Sequence, residues 1–63
     1  MSAIEAIAEV VRSLGFDTLA REFMERPEYR ARIATIAQRQ IAKIDPAKAQ
    51  RFGLLCRETL THR

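Results

Sequence analysis

The chain has little of what small domains use to staple themselves. Its 63 residues contain one cysteine, Cys56, and one histidine, His62. A lone cysteine forms no internal disulfide, and with a single histidine it makes no closed four-ligand zinc site unless carboxylates join. There is no tryptophan, and only two glycines and two prolines interrupt the sequence. Long hydrophobic runs are missing too. Nothing approaches the ~18 consecutive apolar residues of a membrane span. The opening residues Met1-Ser2-Ala3-Ile4-Glu5 lack a basic segment followed by an apolar core, so no signal peptide is expected. Together with the free thiol, this points to a reducing cytoplasm.

What is present is alanine, isoleucine, leucine, arginine and glutamate, the composition of an all-α protein. A chain of 63 residues makes at most one domain. It buries only about 60% of the surface its unfolded form exposes. With disulfides and zinc removed as supports, efficient helix packing or a second subunit must supply the stability. The expected fold is a small bundle of three to four short helices, completed by homodimerisation.

The formal net charge is +3, and its distribution is uneven. Residues 1–29 carry three arginines against six acids; residues 30–63 carry eight basic groups against Asp45 and Glu58. The basic half is suited to an anionic partner, either nucleic acid or an acidic protein surface. Neutralisation of one half by the other, within the fold or across a dimer, uses the same asymmetry.

Helix boundaries are legible along the chain. Ser2 followed by Glu5 forms a capping box, which starts a helix over about 3–14. Ile4, Ile7, Val11 and Leu14 line its dry face. Gly15 suits a left-handed C-cap, with Phe16 folding back against the helix end. Asp17 is placed as the next N-cap, before a short helix over about 18–25 that turns Leu19, Ala20 and Phe23 inward. Pro27 opens a helix over 27–44 or kinks a continuous one. Asp45-Pro46 is the plainest boundary, a capping carboxylate with proline at the first helical position, and the last helix runs over 46–61. Ala49, Phe52, Leu55, Cys56 and Leu60 share its inner face. Gly53, in mid-helix, marks the close approach of another helix.

The 27–44 segment organises the rest. On a wheel of about 100° per residue, Tyr29, Ile33, Ile36, Ala37, Ile41 and Ile44 fall in one stripe, with Ala31, Gln38 and Ala42 away from it. Gln40 lies in that stripe, where an amide needs a hydrogen-bonding partner, and is expected to set the register between packed helices. Arg32, Arg39 and Lys43 make a basic row along the stripe's edge. Such rows are commonly solvated helix faces, and they also serve as binding edges.

Catalytic parts are scarce. Cys56 and His62 are six residues apart and project in different directions, which argues against a cysteine–histidine nucleophile pair. Cys56 reads as a small buried apolar group, and His62 is placed to pair with Glu58. Glu22, Glu25 and Glu28 cluster, but Arg21 and Arg26 beside them favour ordinary surface pairing over a metal. No glycine-rich phosphate loop, His-Glu-x-x-His or dinucleotide fingerprint occurs. No enzyme activity and no cofactor are expected. Two functions follow. The first is a small regulatory, adaptor or inhibitor protein that binds another protein through helical surfaces, with Arg32, Arg39, Gln40, Lys43, Arg51 and Leu54 as contact residues. The second is a basic nucleic-acid-binding regulator that uses the 46–61 helix, with Lys48, Gln50, Arg51 and Arg57, beside the Arg32/Arg39/Lys43 row. Its turn, Ile44-Asp45-Pro46, lacks the glycine common in helix-turn-helix readers.

Overall fold

A computed structural model describes residues 2–60 and is all-α across them. Four α-helices follow one another: α1 (Ala3–Ser13), α2 (Asp17–Glu25), α3 (Arg30–Ile44) and α4 (Pro46–Leu60), with a 3-10 turn (Pro27–Tyr29) between α2 and α3. Each packs chiefly on its neighbour in sequence. The α3–α4 seam is the most extensive and α1–α2 follows; α2 also touches α3, and α1 touches α4. The tails of the expected last helix and of the expected His62–Glu58 pair, at residues 61–63, lie outside the described residues.

Local chemistry explains the breaks. The Ser2 hydroxyl accepts from the Glu5 amide, and the Glu5 carboxylate accepts from the Ser2 amide, both at 3.1 Å. That capping box satisfies two of the amides a helix start leaves unpaired. At the other end of α1, Gly15 takes φ +93°. The Gly15 amide donates to the Arg12 carbonyl and the Phe16 amide to the Val11 carbonyl, the pair of bonds that defines a Schellman ending. Phe16 then folds onto the core.

Asp17 departs from its expected place. The Phe16 carbonyl already accepts from the Ala20 amide, so Phe16 holds the cap position and Asp17 is the first residue of α2. Its carboxylate bonds no amide there, but it still sits at the positive end of the helix dipole. Arg26, at φ −125° and ψ 78°, is too extended to continue α2. The proline after it enforces that geometry, so Pro27 separates two helices and does not kink one.

Arg30 then does what no residue of α2 does for itself. Its Nε donates to the Phe23 carbonyl at 2.8 Å and its Nη2 to the Met24 carbonyl at 3.1 Å. The guanidinium also lies 5.7 Å from the centroid of the Phe23 ring. A cation at a helix C-terminus thus satisfies carbonyls that have no intrahelical donor, and it ties the end of α2 to the start of α3.

The core runs through all four helices. Phe23, Ile7, Ile41 and Val11 are fully buried, and Ile33, Phe52 and Cys56 close around them. No polar side chain is buried among the described residues. On α3 the dry face is not the stripe expected from the wheel. Ile33, Ala34, Ala37 and Ile41 are buried, whereas Tyr29 is exposed and Ile36 and Ile44 are 39% and 67% exposed. The helix is turned by about 50° from the expected orientation. The cause lies in α4. Its Ala49 and Gly53 let α3 approach on the side carrying Ala34 and Gln38, and a surface of small residues packs closer than one of isoleucines.

Gln38 marks that approach. Its Nε2 donates to the Ala49 carbonyl at 3.2 Å. A Cβ placed on Gly53 would lie 2.3 Å from the same nitrogen. The amide that fixes the register of α3 on α4 is therefore Gln38, and the expectation that Gln40 does so is corrected. Gln40 is half-buried on the opposite edge of α3. At the start of α4, the Asp45 carboxylate accepts from the Lys48 amide at 3.1 Å, and Pro46 occupies the first helical position.

Candidate functional site

The outer side of the α3–α4 seam is concave. Two adjoining depressions of about 450 Å³ and 440 Å³ share Thr35, Gln38 and Gln50, so they follow one another along the pair as a groove with those side chains at its middle. Its α3 wall is Ala31, Thr35 and Ala42, and its α4 wall carries Ala49, Gly53 and Leu54. The Thr35 hydroxyl is turned back onto the Ala31 carbonyl at 3.1 Å, so it makes little polar demand on a ligand. Arg39 lines one end and Arg57 the other, and among the described residues no acid lines either depression.

This geometry sorts the residues singled out in the sequence. Arg39 and Leu54 come together on the groove, and Leu54 is 51% exposed at its rim. Arg32 and Lys43 are exposed on the same outward face of α3 as Arg39, at helical spacing, beyond the groove wall. Arg51 does not join them. It borders a separate pocket of about 260 Å³ at the α1–α4 junction, with Val10, Lys48, Phe52 and Leu55. Gln40 lies on the far edge of α3, beside exposed Ile36. The row on α3 is intact, and the α4 cations are divided between two sides of that helix.

Electrostatically, α3 carries four basic residues and no acid. Asp45, at the turn, is engaged with the Lys48 amide. On α4 the acid is Glu58, one turn beyond Leu54. The acidic half of the chain lies on α1, α2 and the 3-10 turn, where Glu9 pairs with Arg12 on the surface.

Cys56 is buried beneath the groove, and loss of hydration pushes its thiol up to about 11, so the nucleophilic thiolate is scarce at neutral pH. Among the described residues no three histidine, cysteine or acidic side chains converge as metal ligands, and Glu22, Glu25 and Glu28 stay apart. No helix among them is long and apolar enough to cross a membrane.

Sequence reasoning missed Gln38 and the small-residue walls of the groove. The signal was present in the pairing of a mid-helix glycine with alanines on the preceding helix, but no rule said which helix face would meet that glycine. The chain matches no family model, no curated protein and no solved structure.

Proposed function

We propose that the protein is a small non-enzymatic regulator, adaptor or inhibitor that acts in the cytoplasm by binding another protein through its α3–α4 surface. What supports this is the groove: two adjoining depressions with small residues in their walls, Leu54 exposed on the rim, and Arg39, Arg32 and Lys43 alongside. Shape supplies buried area, and arginine supplies both stem contact and carboxylate pairing. The test is a photo-crosslinking amino acid placed at Leu54, and separately at Glu9 on the opposite half, in cells that make the protein. A discrete protein adduct from the Leu54 position but not from Glu9 is the expected result; adducts from neither position overturn the proposal.

A second reading is nucleic-acid binding, favoured by the acid-free basic face of α3. Titration of duplex DNA and of RNA at two salt concentrations decides it. Affinity that falls steeply with salt supports that role, and no binding at low salt removes it. Homodimerisation is proposed on the exposure of Ile36 and Ile44, on the side of α3 away from the groove. Sedimentation at increasing concentration measures it directly.

A further inference from the structure

We infer that the α3–α4 groove takes an acidic amphipathic helix from a partner protein; this rests on the protein-binding reading above and names the occupant. The groove's extent gives the first argument. It runs beside α3 from Ala31 to Ala42. At ~1.5 Å per residue that is about 16 Å, or three turns of a docked helix. An extended strand has no partner there, because the backbone groups of both walls are already committed to α3 and α4.

The walls give the second argument. Ala31, Thr35, Ala42 and Gly53 project little, so each depression, on either side of Gln38 and Gln50, has room for a large side chain from the other molecule. Leucines, methionines or phenylalanines at successive turns of a helix fit that requirement, and their burial also covers Leu54. The remaining faces of such a helix look towards Arg39 at one end of the groove, and towards Arg32 and Lys43 beyond the α3 wall. Acids on those faces complement the protein, and basic residues there are repelled.

The same charges decide against two other occupants. A second copy meeting groove to groove offers Arg39 no acid, since none of the described residues that line the two depressions is acidic. A second copy presenting α1 or α2 offers acids but little grease, since Ile7, Val11 and Phe23 are spent in its own core and Met24 is the large apolar side chain it exposes. Nucleic acid would use the cations, but the surface between them, alanine, glycine and leucine with Thr35, Gln38 and Gln50, carries no aromatic stacking platform.

The test uses the intact protein and two capped, side-chain-stapled peptides of about 15 residues, long enough to hold helix. One has leucines at helical spacing and glutamates elsewhere; its mirror carries lysines in place of the glutamates. The acidic peptide is expected to bind and to shift amide resonances of Ala31, Thr35, Ala42, Gly53 and Leu54, weakening as salt is raised. The lysine peptide is expected not to bind. Arg39→Glu should weaken the acidic peptide about tenfold, and Arg21→Glu, on α2, should change it less than about twofold. Ala42→Phe fills the groove from an exposed position and should abolish binding while the circular dichroism spectrum stays helical. No binding of the acidic peptide, or equal binding of both peptides, overturns the inference. Shifts confined to α1 and α2 overturn the groove and leave a protein-binding role intact. A crosslinked partner whose contacting segment is neither helical nor acidic does the same. Duplex DNA displacing the peptide from the groove overturns both the occupant and the role.

Discussion

The two halves of the molecule divide the work differently. Of the four fully buried large side chains, Phe23, Ile7 and Val11 belong to α1 and α2, and only Ile41 to the second half. Of the exposed large apolar side chains, Ile36, Ile44 and Leu54 lie on α3 and α4, against Met24 alone on α1 and α2. The first pair of helices is short, capped at its start and acidic, and nearly all its apolar bulk goes inward. The second pair is longer and basic, packs through alanine and glycine, and leaves part of its grease outside. A seam of small residues brings two helices close, and by the same geometry leaves a trough along their outer side.

The largest effect that could break this comparison is in the core. Phe23→Ala should cost about 3–5 kcal/mol, close to the whole stability of so small a domain, whereas Leu54→Ala should stay within about 0.5 kcal/mol. Thermal unfolding followed by circular dichroism measures both. A Leu54 variant as damaged as the Phe23 variant would make the exposed side of α4 structural and the division false.

Next comes the tie between the halves. Arg30→Ala removes two charged hydrogen bonds to α2 carbonyls and a cation over Phe23, and should cost about 1.5–3 kcal/mol. Arg30→Lys keeps the charge without the fork and should fall between the parent and the alanine variant. Urea denaturation that finds the lysine and alanine variants equal would show that the planar geometry matters more than the charge.

A smaller effect sharpens the account of the seam. Gly53→Ala gains about 1 kcal/mol of helix propensity but forces Gln38 out of its bond to Ala49, with a loss of similar size. The single change should therefore be close to neutral, and the same change in a Gln38→Ala background should stabilise by about 1 kcal/mol. If Gly53→Ala stabilises equally in both backgrounds, Gln38 is not what holds the glycine in place.

The smallest effect concerns pH and belongs to α1. Hydrogen bonds from the Ser2 amide and hydroxyl hold the Glu5 carboxyl below its usual range. A folded value lower than the unfolded one stabilises above the unfolded value, and that contribution disappears as pH falls through the folded one. The melting temperature of the parent should thus drop slightly more than that of Glu5→Gln across the acidic range. Parallel pH profiles would mean that the capping box contributes no linkage.

Much of this plan was legible in the residues alone wherever the signal was local. Ser2 with Glu5, Gly15 with Phe16, and Asp45 with Pro46 each act within a few positions, and each takes the geometry its chemistry requires. Asp17 was misplaced because a neighbouring motif, the Schellman ending, claimed Phe16 and advanced the helix start by one residue. The orientation of α3 was not legible for a different reason. With Ala31, Ala34, Ala37 and Ala42 spread around it, several faces of that helix are dry enough to pack, so the choice falls to the helix opposite. Gly53 announced a close neighbour without saying which side chain would fill the gap. Arg30 gave no local hint at all, since its partners are carbonyls exposed by a chain break at Arg26. The candidate surface was half readable. The α3 row stays together; Arg51 faces the α1–α4 junction, and Gln40 lies on another side of α3 from the row.

The latch that Arg30 closes reaches back only seven positions to Phe23, and the most extensive helix seams join elements adjacent in the chain. Loops this short cost little entropy to close, and topologies built from them belong to the quickest class of folders. Each hairpin can form while the other is still searching, and docking them brings their halves of the latch together. Stopped-flow dilution from denaturant should therefore find most of the signal already recovered within the dead time.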